Sequence, residues 1–187
     1  MKDGRLSTWL VTLVIVIVVA ACSQGQPVAP TAATTSAPGI ASDSTGRTPV
    51  PMHADLTGTA WLDLDNRLGC AVTPYTVVAK ATGPWSHMGV VQMSSQHCIT
   101  GVDSDGAPLF AGTAVYRAAN GDELHTSYTG TMHPGPTAPM AGHFTITGGT
   151  GRFADASGEG EWSGQVTMNS PSGPWPTVWH KSGRIVY

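Results

Sequence analysis

Beyond residue 53, apolar and polar residues alternate with a period of two in short segments bounded by Gly, Pro, Asn or Asp. This alternation is typical of β-strands that bury one face. Glycine is abundant, and it weakens a helix by about 1 kcal/mol per site relative to alanine, so long helices are not expected. The pattern predicts eight strands: Gly58–Asp63, Tyr75–Thr82, His87–Met93, Pro108–Ala118, Leu124–Gly130, Ala141–Thr147, Gly160–Met168 and Val178–Tyr187. Many short antiparallel strands at this spacing favour a single all-β domain, either a sandwich or a barrel, over residues 53–187.

The N-terminus has the composition of a lipoprotein signal peptide. Lys2 and Arg5 precede an apolar run that is too short for a comfortable transmembrane helix, which needs about 20 residues. The run ends in Val-Ala-Ala-Cys, which resembles the lipobox of bacterial lipoproteins and implies cleavage before Cys22 and acyl chains such as palmitate on it. We therefore expect residues 1–21 to be removed and the protein to be lipid-anchored at the cell membrane, on its extracytoplasmic side.

Residues 22–52 are rich in Pro, Ala, Ser and Thr and have few large apolar side chains. Such a composition cannot bury enough surface to offset chain entropy, so a disordered tether is predicted. From residue 53 onward there are six Lys or Arg against ten Asp or Glu. Nucleic acid is therefore not an expected partner, because phosphate neutralisation needs clustered basic residues. The lipid on Cys22 is expected to supply the membrane contact.

Two further cysteines, Cys70 and Cys98, lie beyond the tether. In an exported domain an even pair is most simply a disulfide. The alternatives are a metal pair with a nearby histidine such as His97, or two free thiols. No zinc pattern with paired cysteines is present, and no His-x-His or His-Glu-x-x-His spacing occurs. We expect no metal and no cofactor.

A glycine-rich segment, Gly148-Gly-Thr-Gly-Arg-Phe153-Ala-Asp-Ala-Ser-Gly-Glu-Gly160, is the most conspicuous motif. Formally it contains the dinucleotide fingerprint, but residues 155–160 are a poor start for a helix, and without a helix N-terminus there is no phosphate cradle. The glycines are better interpreted as tight turns that place Phe153 in the core. The segment resembles one found in bacterial barrel proteins that are similar to allene oxide cyclase and dirigent proteins.

That resemblance extends over about residues 56–187 and implies a small antiparallel β-barrel with an apolar cavity. Plant allene oxide cyclases steer the cyclisation of a fatty-acid-derived epoxide in such a cavity. No motif here matches the catalytic residues of that family, and a shared fold does not transfer function.

The candidate ligand-binding residues are His87, Val91 and Met93, which share one face if residues 87–93 form a strand. An inward His87 would polarise a ligand oxygen or act as a base near neutral pH; the alternative is a structural histidine bonded to backbone. His125 and His143 alternate with Leu124 and Phe144 and are expected to face water.

Paired carboxylates such as Glu159 and Glu161 are two residues apart, which on a strand usually makes a solvated face. Tryptophans could form a sugar platform, although core packing is their commoner fate. No nucleophile elbow is present.

Three functions remain open from the sequence. The first is a non-enzymatic barrel that binds a small apolar ligand or an envelope partner. The second is a cyclase or isomerase that acts by positioning its substrate in the cavity, which leaves almost no sequence trace. The third is an interaction module with a solid core that presents Trp175 and Trp179 to a partner protein.

Overall fold

The computed structural model describes residues 46–187. They form eight antiparallel strands in which each pairs with its sequence neighbours and β1 pairs with β8, so the sheet closes into a barrel. The strands are β1 Val50–Asp63, β2 Thr76–Trp85, β3 Gly89–Val102, β4 Pro108–Ala118, β5 Glu123–Met132, β6 Thr137–Gly149, β7 Ser157–Thr167 and β8 Trp175–Val186. The predicted all-β barrel is confirmed.

All eight predicted strands are present in the predicted order, and most are longer than expected. β1 begins at Val50, so residues 50–52, which the composition assigns to the tether, belong to the barrel. β3 runs on to Val102, nine residues past its predicted end at Met93. The predictions at Cys22 and for residues 1–21, and most of the tether, lie outside the described residues. Within residues 46–187 no helix is long and apolar enough to cross a membrane.

The two ends of the barrel are different. At one end lie the β2–β3 and β4–β5 turns and the β6–β7 connection, and here large side chains fill the interior: Met52, Leu56, Trp85, Leu124 and Phe153 are all at most 2% exposed. Trp85 packs on Tyr116 with ring centroids 4.3 Å apart. These packed side chains close this end of the barrel.

The glycine-rich segment forms the β6–β7 connection at this closed end. It contains a single 3₁₀ turn, Gly151–Phe153, and Gly148 and Gly151 have φ of 116° and 58°, which side chains rarely adopt. Phe153 is fully buried, and its ring centroid lies 5.1 Å from that of Tyr187. The interpretation of the motif as a turn that delivers Phe153 to the core is confirmed.

At the other end lie the β1–β2, β3–β4, β5–β6 and β7–β8 connections, of which β1–β2, residues 64–75, is the longest. The β1–β2 connection is held by the Cys70–Cys98 disulfide, whose Cα atoms are 5.4 Å apart, so the predicted pairing is confirmed. The side chain of Asn66 bonds the backbone of Cys70 in both directions, at 2.8 and 3.2 Å. The disulfide thus fixes this connection against β3 beside the opening of the barrel.

Candidate functional site

A cavity of about 370 Å³ occupies the half of the barrel nearest the β1–β2, β3–β4, β5–β6 and β7–β8 connections. Its volume lies within the range of about 300–1,000 Å³ typical of small-molecule sites. An eight-stranded barrel is just wide enough either to be filled by side chains or to hold one small ligand. Here the closed end is filled and the open end is not. The inside of this barrel can therefore accept a small molecule.

The cavity wall is mainly apolar and combines two kinds of side chain. Aromatic rings give it rigid faces, and they come from Phe110, Tyr116, Tyr128, Trp162, Trp175 and Trp179. Methionines give it adaptable surface, since the thioether chain is flexible and polarisable, and they are Met93, Met132, Met140 and Met168. A wall of this composition suits an apolar molecule and tolerates variation in its shape.

The rim of the opening also carries apolar groups. Leu64, Leu68 and Val72 of the β1–β2 connection are 69%, 42% and 58% exposed, and Val102 at the end of β3 is 63% exposed. Thr73 and Tyr75 of the same connection line the cavity itself. Apolar surface therefore continues from the solvent-exposed rim into the interior.

A buried lysine forms the floor of the cavity. Lys181 lies on β8 between Ala54 of β1 and Trp162 of β7, and only 6% of it is exposed. Strand alternation turns it inward together with Trp175, Thr177 and Trp179, while Pro176 and His180 face outward. Burial lowers the pKa of Lys181 to about 7.

Four aromatic rings surround the Lys181 ammonium. Nζ lies 5.0 Å from the ring centroid of Phe144, 5.6 Å from Tyr116, 5.7 Å from Trp162 and 6.0 Å from Tyr128. A cation within about 6 Å of a ring face is attracted to it, by up to about 2 kcal/mol when desolvated. The rings thus stabilise the charged form and oppose the effect of burial on the pKa.

A second polar group lies higher in the wall. His97 Nδ1 is 3.0 Å from the hydroxyl of Tyr128, and its ring stacks on Phe110 with centroids 4.5 Å apart. Burial lowers the pKa of His97 to about 4, so the imidazole is neutral at pH 7. Burial also raises the pKa of Tyr128 well above its usual range. The pair offers a ligand neutral hydrogen-bonding groups and no charge.

One glycine shapes the wall beside Trp162. A Cβ added at Gly130 of β5 would stand 2.9 Å from Cζ of Phe110 and 2.8 Å from the carbonyl oxygen of Ala141, and it would overlap the Trp162 ring. Only glycine leaves these two aromatic rings room at this position. The position of the cavity wall therefore depends on Gly130.

The three predicted ligand-binding residues lie in different parts of the barrel. Met93 lines the cavity, as expected of an inward residue of β3. Val91 is fully buried one step deeper, in the packed end, and does not reach the cavity. The inward position considered for His87 is wrong, and the structural alternative holds: His87 lies in the exposed β2–β3 turn with φ of 69°, and its Nε2 is 2.8 Å from the carbonyl oxygen of Pro51. It is a structural histidine at the closed end.

Other predictions can be compared with the structure in the same way. His143 is exposed and His125 is partly exposed, as expected, and Glu159 and Glu161 face solvent. Trp175 is only 8% exposed and lines the cavity together with Trp179, so the expectation that they form an outer face is wrong. In residues 46–187, no three His, Cys, Asp or Glu side chains are grouped to hold a metal ion.

Sequence reasoning missed Lys181 and His97 as cavity residues, although the alternation contains the signal. In β8 the inward series Trp175, Thr177, Trp179, Lys181 and Ile185 is apolar apart from one threonine and the lysine. A lysine in the apolar register of a strand is unusual, because lysines are almost never fully buried unless paired.

Comparisons with models of known protein families, with characterised proteins and with solved structures found no match for this chain.

Proposed function

We propose that this protein binds a small, mainly apolar molecule inside its barrel and is held at the outer face of a membrane by a lipid on Cys22. The observation that carries the binding proposal is the cavity of about 370 Å³, whose wall is mainly apolar and whose rim is apolar as well. Transfer of apolar surface from water into such a cavity stabilises a complex by about 25 cal/mol per Å². A solid barrel acting only as an interaction module has no need of this space.

The membrane attachment rests on the N-terminal sequence. Basic residues, an apolar run, two alanines and Cys22 succeed one another in the order of a lipoprotein signal. The Cys70–Cys98 disulfide supports the same location, because disulfides persist in oxidising compartments outside the cytoplasm. Mass spectrometry of the N-terminal peptide from membranes tests it: a diacylglyceryl group on Cys22 is expected, and an unmodified, uncleaved N-terminus would contradict it.

A second candidate function is that of an isomerase or cyclase similar to allene oxide cyclases. The observation that favours it is the presence of His97, Tyr128 and Lys181 in one apolar wall, where they can position a reactive molecule. Recovery of the bound compound separates the two functions. A binding protein returns it unchanged, whereas an isomerase returns a product of the same mass with a different structure.

Ligand binding can be measured with 1-decanol as the probe, because three tryptophans line the cavity and we expect their fluorescence to change when it is occupied. Val77 of β2 lines the cavity, and its neighbour Val78 does not. We expect Val77→Phe to fill part of the cavity and to weaken decanol binding about tenfold, equivalent to about 1.4 kcal/mol. Val78→Phe is the matched control and should bind as the wild type does.

Both variants should unfold cooperatively, which shows that the barrel is intact. If neither 1-decanol nor decanoate, which has the same tail and a carboxylate, binds the wild-type protein, the binding proposal is wrong. If it binds equally to the two phenylalanine variants and the wild type, the ligand occupies some other surface.

A further inference from the structure

The charge of Lys181 has no counterpart inside the barrel. Among the residues that line the cavity, Lys181 is the only Lys, Arg, Asp or Glu. None of the ion pairs between described residues includes it. An ammonium has three N–H donors, and aromatic faces attract its charge without supplying lone pairs of the kind an oxygen offers.

Carboxylates lie on the neighbouring strands, but their side chains point out of the barrel, away from Lys181. Lys181 pairs with Ala54 and Trp162, and the adjacent residues on those strands are Asp55 and Glu161. Alternation turns both carboxylates to the outer surface, where they are exposed. Asp55 is bonded there to His180, with Oδ1 and Nδ1 2.6 Å apart. Any anion that meets Nζ must therefore enter through the cavity.

We propose, building on the proposed function, that Lys181 binds the carboxylate of the ligand, so that the occupant is a monocarboxylic acid with an apolar tail. The carboxylate lies at the floor beside Nζ, and the tail extends past the methionines and tryptophans towards the opening. A buried charge is costly when unpaired, and a hydrogen-bonded carboxylate compensates it. An N⁺–H···O⁻ bond is about twice as strong as a neutral one.

The cavity chemistry favours a carboxylate over a phosphate. The wall holds one cation, which balances one negative charge, whereas a phosphate monoester carries close to two at neutral pH. Bidentate recognition of phosphate also prefers arginine, and no arginine lines the cavity. A single amine in an apolar site suits a monoanion.

The groups that face Lys181 keep their charge state constant around neutral pH. Tyr116 on β4 and Tyr128 on β5 stay protonated, because burial raises both pKa values well above the usual range. Phe144 on β6, Trp162 on β7 and Ala54 on β1 do not titrate, and His97 on β3 stays neutral. Between pH 6 and 9, Lys181 is therefore the cavity group whose charge changes.

The test compares decanoate with 1-decanol, which has the same tail and no charge. In the wild-type protein at pH 6 we expect decanoate to bind at least tenfold more tightly than decanol, and this preference should shrink at pH 9 as Nζ loses its proton. Lys181→Met should abolish the preference while decanol still binds. Lys80→Met is the matched control, because Lys80 is an exposed lysine on the outer face of β2, and it should behave as the wild type does.

Lys181→Arg provides a second variant, because its guanidinium keeps the charge at every pH used. It should retain the preference for decanoate and lose the dependence on pH between 6 and 9. If the wild-type protein binds decanol as tightly as decanoate, or if Lys181→Met keeps the preference, the role of Lys181 is overturned and the apolar cavity remains. If neither compound binds, the proposed function fails as well.

Discussion

Replacing Lys181 by methionine removes a buried amine while keeping an unbranched chain of similar length. In the unfolded chain the lysine titrates at its ordinary pKa of 10.5, and in the folded barrel burial lowers the pKa to about 7. Between these values the unfolded state binds more protons than the folded state, so the free energy of unfolding rises with pH. The cost of burying the ammonium is fully present below pH 7 and is relieved as the pH rises towards 10.

The size of the effect can be worked out from the shift. Each pH unit inside this window is worth up to about 1.4 kcal/mol. From pH 7 to 9 the free energy of unfolding of the wild-type barrel should therefore rise by about 2 kcal/mol relative to that of Lys181→Met. Attraction between the ammonium and the four aromatic rings makes this rise smaller. The methionine variant should be the more stable protein at pH 7, because it buries no charge.

Urea unfolding at pH 7, 8 and 9, monitored by tryptophan fluorescence, measures this difference. Lys80→Met serves as the control, because Lys80 is exposed on the outer face of β2, and the stability of this variant should track the wild type at each pH. A stability difference between wild type and Lys181→Met that is the same at all three pH values would contradict the lowered pKa of Lys181. It would mean that Lys181 keeps its ordinary pKa in the folded protein.

Three further predictions concern the wall of the cavity and its rim. Replacing both Cys70 and Cys98 by alanine should destabilise the barrel by roughly 3.5 kcal/mol in urea, because the disulfide closes a loop with a sequence separation of 28 residues. Between pH 6.5 and pH 4 the free energy of unfolding should fall by up to about 1.4 kcal/mol for each pH unit of acidification, because His97 is neutral in the folded state and charged in the unfolded one. The His97→Gln variant should lack this dependence on pH. Gly130→Ala should destabilise by about 1–3 kcal/mol and weaken decanol binding, whereas Gly101→Ala, where a Cβ meets open space, should do neither.

Each of these predictions has a contrary result. A double alanine variant as stable as the wild type would mean that the β1–β2 connection is ordered without the disulfide. An acid slope that persists in His97→Gln would assign it to other groups. Wild-type binding by Gly130→Ala would show that the aromatic rings beside it can move without changing the cavity.

The amino-acid pattern is sufficient for the architecture because the strands carry period-two alternation and the turns carry glycine. Both ends of the strand at residues 108–118 are predicted correctly, since a glycine-containing turn precedes Pro108 and the Asn120-Gly121 turn comes after Ala118. Most other strands extend past at least one of their predicted ends. In β3 the second half, from Ser94 to Val102, contains several polar residues, and pairing with β2 and β4 rather than its own pattern holds it in the sheet.

The site is harder to predict, for two physical reasons. The alternation places His87 inward only if a strand extends through it, but the residues around it form a turn with positive φ at both His87 and Gly89. Lys181 gives no signal on its own, because a lysine in a strand is expected to face water. Its inward position depends on the register that closes β8 on β1, a contact more than 100 residues apart in sequence.

The most direct test of a ligand bound inside the barrel with its carboxylate at Lys181 is a crystal structure of the protein grown with decanoate. We expect electron density for one decanoate in the barrel, with a carboxylate oxygen about 2.8 Å from Lys181 Nζ and the tail running past Met140 towards the opening. A decanoate with its carboxylate at the rim and its tail against Lys181, or a cavity that holds only water, would contradict it.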